Sequence, residues 1–323
     1  MSIAEITDSK TGSMARIATH LGFNCFQFVA CPTPQERVEV IDSEEGFELG
    51  GKRASHSGIP LLFPFPNRIR GGRYSWAGKT WEMPSEAVPW DGKGSAIHGF
   101  CLDRPWRVVD QTDRQITGEF RLSLDAPERL PFWPADATIR LKYSLNWTCL
   151  RADITVSNPS DTPLPWGFGT HAYFRVPLSP SSEPGHCTVY APARKQWVLN
   201  SELVPVGTLT DPPEDAQLVD SPYFDTLQVD SVYTDVEIRT GFSVCRVMDE
   251  RAGLQMEQRS SADFREIVAF IPPWTKAVCL EPYTCVSDAI NLQARGIDAG
   301  LQVLDPGASW TGWIEISVTP VIC

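Results

Sequence analysis

LKYSLNWTCLRADITV, residues 141–156, alternates apolar and polar side chains in two runs. Leu141, Tyr143 and Leu145 share a period of two, and Leu150, Ala152, Ile154 and Val156 resume it after the link from Asn146 to Cys149. Successive side chains of a strand point to opposite faces, so each run has one apolar face. Two such runs so close together predict a β-hairpin lying on a core. The same period returns at Ile314, Ile316 and Val318, after a turn at Asp305-Pro306-Gly307, and less cleanly from Ile116 to Leu124.

Turn residues are dense around these runs. The chain of 323 residues carries 27 prolines and 23 glycines, with paired prolines at 64 and 66, 163 and 165, 212 and 213, and 272 and 273. Proline removes a ladder donor and belongs at turns, edges and bulges. Short strands between frequent turns predict an all-β sandwich or barrel. Long amphipathic helical windows are missing, and a short helix is plausible near Ser287 to Ala294. Residues 179–185 and 211–220 read as exposed loops rather than linkers, and no repeat of fixed period occurs. One antiparallel domain over residues 1–323 is the simplest organisation.

Composition narrows the function. The net charge is −12, which repels phosphate backbones and anionic lipid, so no nucleic-acid partner is expected. Nine cysteines, an odd number without a C-x-x-C pair, fit a reducing compartment and give no zinc spacing. The N-terminal 20 residues lack an apolar signal core, and no run of about 18 apolar residues exists. A cytoplasmic protein without a membrane partner is expected.

The stretch WGFGTHAYF, residues 166–174, holds the most suggestive chemistry. Gly167 and Gly169 permit a tight turn or a close approach, and His171 exchanges a proton readily near neutral pH. The plainer reading is a strand end with a buried, hydrogen-bonded histidine. His98, in AIHGF, sits among similar small residues beside an aromatic, and capping a strand end explains it equally well. His20 and His186 lie in polar surroundings, and His56 reads as a loop residue. Arg68 follows the proline-stiffened segment GIPLLFPFPN, which holds its planar fork in place for a ligand's oxygens. The alternative is a surface arginine after a buried edge strand. Glu281, in VCLEPY, ends an apolar run, where desolvation raises a carboxyl's pKa and makes it a better base; an ordinary strand-end glutamate paired with Lys276 is the alternative. Asp230 opens DSVYTD and competes with Asp225 and Asp235. Only the fold can join groups spread from residue 68 to 281.

Taken in order, GIPLLFPFPNRI, AIHGF, RPW, GFGTHAYF, DSVYTD and CLEPYT with a following DAINL resemble the aldose 1-epimerase (galactose mutarotase-like) family from about Gly50 to the C-terminus. The resemblance implies a β-supersandwich of large antiparallel sheets with few short helices, whose concave face holds a sugar. It implies that Glu281 is a general base and His171 a general acid. Arg68, His98 and Asp230 would grip hydroxyls, and Tyr173 and Trp274 are candidate stacking walls. No metal or cofactor is called for; the partner is a small-molecule sugar, and the protein is a monomer or homodimer. Ala172 stands where the family often has proline. A hexose-6-phosphate epimerase would hold phosphate with extra arginines, for which Arg53, Arg70, Arg73 and Arg265 are candidates. The Pro66-Asn67-Arg68 form and the acidic balance resemble the free-sugar branch instead. A non-catalytic sugar sensor is a further alternative.

Overall fold

A computed structural model describes residues 2–321. Two antiparallel eight-stranded sheets dominate it. The first runs Arg107–Gln111, Gln115–Arg121, Thr138–Asn146, Cys149–Ser157, Ser309–Pro320, Leu254–Ser261, Phe242–Asp249, Cys187–Tyr190. Its centre is the hairpin read from residues 141–156, with Leu145 opposite Leu150 and Leu141 opposite Ile154. The link is shorter than the sequence indicates. The ladder continues to Asn146 and Cys149, leaving a two-residue turn at Trp147 and Thr148. Polar pairs at a hairpin's end carry no periodic signal, which is why the pattern stops early. Ile314, Ile316 and Val318 lie on the next strand, the first two opposite Ala152 and Leu150 and the third opposite Met256 of the strand beyond. The weaker alternation from Ile116 has a physical cause as well. Its strand ends at Arg121, and Leu122–Asp125 turns into a short helix.

The second sheet orders Pro205–Thr210, Ala193–Leu199, Asp230–Val236, Glu266–Phe270, Ala277–Tyr283, Gly169–Thr170 and Leu61–Leu62, with Tyr173–Arg175 also paired to Ala277–Tyr283. It is covered on both faces. Ile267, Ala269, Val278 and Leu280 join the main core with the apolar face of the first sheet. Cys279, Glu281 and Tyr283 point to the other face, together with Glu266, Val268 and Phe270, which lie opposite them in register. A four-stranded sheet, Ile3–Thr7 to Glu36–Glu39, covers the N-terminal side. A second helix, Ala289–Ala294, falls where the sequence places one.

Gly167 and Gly169 admit packed side chains. A Cβ at 167 would overlap Cys285 and one at 169 the ring of Tyr283. Among the described residues eight cysteines are free thiols, and Cys323 lies outside them. No described helix is long and apolar enough to cross a membrane.

Candidate active site

The face of the second sheet that carries Glu281 floors a cavity of about 620 Å³. Arg68, His98, His171, Tyr173, Asp230, Trp274 and Glu281 all line it, whereas Asp225 and Asp235 do not. Each arrives by a different route. Arg68 opens the strand Arg68–Arg70, which pairs with Ser95–Ile97, so His98 emerges beside it. The His98 N–H donates to the Asn67 carbonyl (2.8 Å), and its φ of 65° is a conformation that side chains seldom adopt. His171 sits between Gly169–Thr170 and Tyr173–Arg175, two short strands that both pair with Ala277–Tyr283. Its N–H donates to the Pro60 carbonyl (3.0 Å), which ties the histidine to the proline-stiffened segment. Asp230 is the first residue of its strand and stands at the rim.

His171 Nε2 lies 3.4 Å from Glu281 Oε1, and the His98 ring meets the His171 ring edge-on at 5.5 Å. Glu281 has no bond to Lys276; the Tyr283 hydroxyl donates to its other oxygen. Burial pushes the Glu281 carboxyl well above its usual range, helped by the charge of Asp230 and opposed by the Tyr283 bond and Arg68. Burial also drives His171 down to about 3 and His98 well below its usual value. The short approach would suit an ion pair, but burial favours the neutral forms of both partners. Both shifts act against an ion pair in the empty cavity.

Arg68 is fixed from behind. Its Nε donates to Asp91 Oδ2 (2.6 Å) and its Nη1 to Asn67 Oδ1 (2.8 Å). Asp91 also accepts from the backbone N–H groups of Lys93 and Ser95. Burial would raise its carboxyl, but the Ser95 N–H and the Arg68 guanidinium together hold it below the usual carboxylate range.

The aromatics divide. Trp166, Phe168 and Phe174 belong to the main core, while Tyr173 reaches the cavity. Its ring stacks on His171 at 4.9 Å and its hydroxyl donates to the Ser55 carbonyl (2.9 Å), so one face braces the histidine. Trp274 stays 46% exposed at the mouth, stacked on His56 at 4.4 Å. Among the described residues none before Arg53 lines the cavity. The N-terminal region acts indirectly, since the Asp42 N–H donates to the Tyr173 carbonyl (2.9 Å). The arginines considered for a phosphate scatter. Arg53 lines the cavity, but Arg70 pairs with Glu202, Arg73 with Glu82 and Arg265 with Asp298.

Donor atoms of His171, Cys279 and Glu281 lie within 4.8 Å of one another, near enough to consider a cation. Burial holds the Cys279 thiol well above its usual pKa, so a cation there would have to displace that proton. The arrangement is suited to moving a proton between a buried imidazole and a buried carboxyl.

The profile of the family described as Aldose 1-epimerase matches residues 33–317. The chain belongs to the aldose 1-epimerase family. Among curated proteins, the uncharacterized protein YihR of Escherichia coli K12 is 30% identical over 124 residues, 38% of each chain. The uncharacterized protein YphB of the same organism is 28% identical over 149 residues, 46% of this chain and 47% of YphB. The match thus spans less than half the length of these relatives. Among solved structures, the GalM/aldose epimerase homologue from C. elegans superposes with a TM-score of 0.81 at 17% identity, over 99% of both chains. A galactose mutarotase-like protein from Clostridium acetobutylicum gives 0.78 at 21% identity, also over 99% of both. At such identities the likeness establishes the fold, a galactose mutarotase-like arrangement of antiparallel sheets.

Sequence reasoning missed Asp91, which nothing but a Trp90-Asp91-Gly92 turn marks, and left His56 as a loop residue although it lines the cavity. It also passed over Tyr283, for which a signal was present, because residues two apart on a strand share a face.

Proposed function

We propose that the protein is a cofactor-independent aldose 1-epimerase that interconverts the anomers of a free aldose. The observation that carries this reading is the His171–Glu281 pair, 3.4 Å apart on the floor of a cavity that Arg68, His98 and Asp230 also line. Anomer exchange needs one proton removed and one delivered. With a sugar bound, hydroxyl donors and the Arg68 guanidinium favour the ionised arrangement of the pair. The Glu281 carboxylate then takes the proton from the C1 hydroxyl while His171 protonates the ring oxygen. The C1–ring-oxygen bond breaks, its electron pair leaves with the oxygen, and C1 becomes an aldehyde. Rotation about C1–C2 presents the other face, and closure runs the two transfers in reverse. Arg68 and His98 donate to sugar oxygens, and Asp230 accepts from hydroxyls.

Of the arginines lining the cavity, Arg68, Arg104 and Arg129 are paired with Asp91, Glu128 and Asp103, which supports a free sugar over a phosphorylated one. The chain is read as one domain because both large sheets feed a single main core, and as a cytoplasmic monomer or homodimer. An NMR anomer-exchange screen over free and phosphorylated aldoses tests the substrate. Glu281→Gln is expected to abolish the acceleration while the protein stays folded. Full activity in that variant removes the base assignment, and tight sugar binding without any rate gain in the wild type favours a sensor.

A further inference from the structure

Tyr283 lies two residues beyond Glu281 on the same strand, so both side chains leave the same face. Its ring is fully buried, and it packs into an apolar cluster separate from the main core, with Leu62, Trp197, Val232, Cys285 and Leu292. Gly169 stands opposite it in register, and any Cβ there would overlap the Tyr283 ring. The cluster thus fixes the ring, and the missing side chain admits it. From that position the phenol donates to Glu281 Oε2, while Oε1 faces His171 Nε2 at 3.4 Å.

We propose that Tyr283 is a positioning residue for Glu281, tying one carboxyl oxygen so that the other is presented to the cavity, and that Gly169 is the space this requires. The inference rests on the reading of Glu281 as the base. A carboxyl with one oxygen anchored cannot swing about its last torsion, and orienting partners of this kind typically contribute tenfold to a hundredfold to activity in metal sites. The phenol also donates to the ionised form and so favours it. The other ionisable groups that face Glu281 are Cys279 on its own strand, His171 and Tyr173 on the adjoining segment, Asp230 and Arg68. Glu266, opposite Tyr283 on the next strand, is bound instead to Trp197 Nε1 (2.9 Å).

The test uses the full chain, with anomer exchange followed by NMR across pH. Tyr283→Phe keeps the ring and its packing but removes the hydroxyl. The expected result is a kcat lower by about tenfold to a hundredfold with KM within about twofold of the wild type. The alkaline limb of kcat/KM, where the Glu281–His171 pair loses its last proton, moves up by about one pH unit, because the ionised carboxyl has lost its donor. The melting temperature stays near that of the wild type. Gly169→Ala, which displaces the ring, should lower kcat in the same direction. If Tyr283→Phe keeps the wild-type kcat and an unshifted limb while Glu281→Gln is inactive, the positioning role is wrong and the base assignment stands. If Glu281→Gln is itself active, both fall. A loss in Tyr283→Phe that comes with a lower melting temperature and an unmoved limb is packing alone and also overturns the proposal.

Discussion

Burial of Glu281 and His171 favours the neutral form of each, against their mutual attraction. With the carboxyl raised and the imidazole lowered to about 3, the pair titrates as a unit, its first proton leaving at low pH and its last held to higher pH. Activity should therefore be level through neutrality. It should fall at the alkaline end when that proton leaves, and at the acid end only near the low value where His171 takes a second one. A pH profile of kcat/KM read by polarimetry checks this, and a steep loss between pH 7 and 6 contradicts it. Arg68 raises a separate question of placement. Its hold on a sugar oxygen depends on the largely buried contact to Asp91. Asp91→Asn keeps the shape and removes the charge, so KM should rise about tenfold with a smaller effect on kcat, as expected for a weakened charge-assisted bond. Sequence reading reached Arg68 through the stiff segment before it. It could not reach Asp91, because the pairing joins the first residue of a short strand to a loop, with no shared period.

The strand Ala277–Tyr283 shows why some elements are readable and others are not. Its seven residues are all buried, and so its sequence shows no alternation. The even positions Val278 and Leu280 enter the core, and the odd ones leave the other face, where Glu281 lines the cavity. Truncating Leu280 should therefore damage stability, whereas altering Glu281 should damage catalysis. Leu280→Ala is expected to cost about 2–5 kcal/mol in denaturant unfolding, the range for a large side chain removed from a packed core. A cost under about 1 kcal/mol would mean that the core face has been assigned wrongly. The exposed hairpin at 141–156 behaves oppositely. One face is wet, the alternation is clean, and the strand could be read residue by residue.

At the scale of the whole molecule, the class of fold was legible because turn residues and period-two runs recur along the full chain. The order of strands was not, since pairings such as Cys149–Ser157 with Ser309–Pro320 join segments more than 150 residues apart. One buried charge also sets how the fold responds to pH. Glu266 is fully buried, with a pKa raised by desolvation to about 7, against the Trp197 bond and the nearby Arg265, which lower it. A folded-state pKa above the unfolded one means that its contribution is complete below about pH 4.5 and is lost as pH rises towards 7. Glu266→Gln keeps an acceptor for Trp197 and cannot ionise. It should raise the melting temperature clearly at pH 8 and little at pH 5; an equal change at both values would show that Glu266 does not titrate in the fold.

The stack of His56 on Trp274 gives the cavity mouth an optical signal. The chain has 11 tryptophans, but among the described residues Trp274 and Trp147 are the strongly exposed ones. An indole in face contact with an imidazole is dimmed when that imidazole gains a proton. Burial and the Arg53 charge lower the His56 pKa, so its emission step should come below the pH of an ordinary histidine. A sugar that covers Trp274 should shield it from iodide while leaving Trp147 open to quenching. Occupancy of the mouth could thus be followed without labels, and separately from turnover.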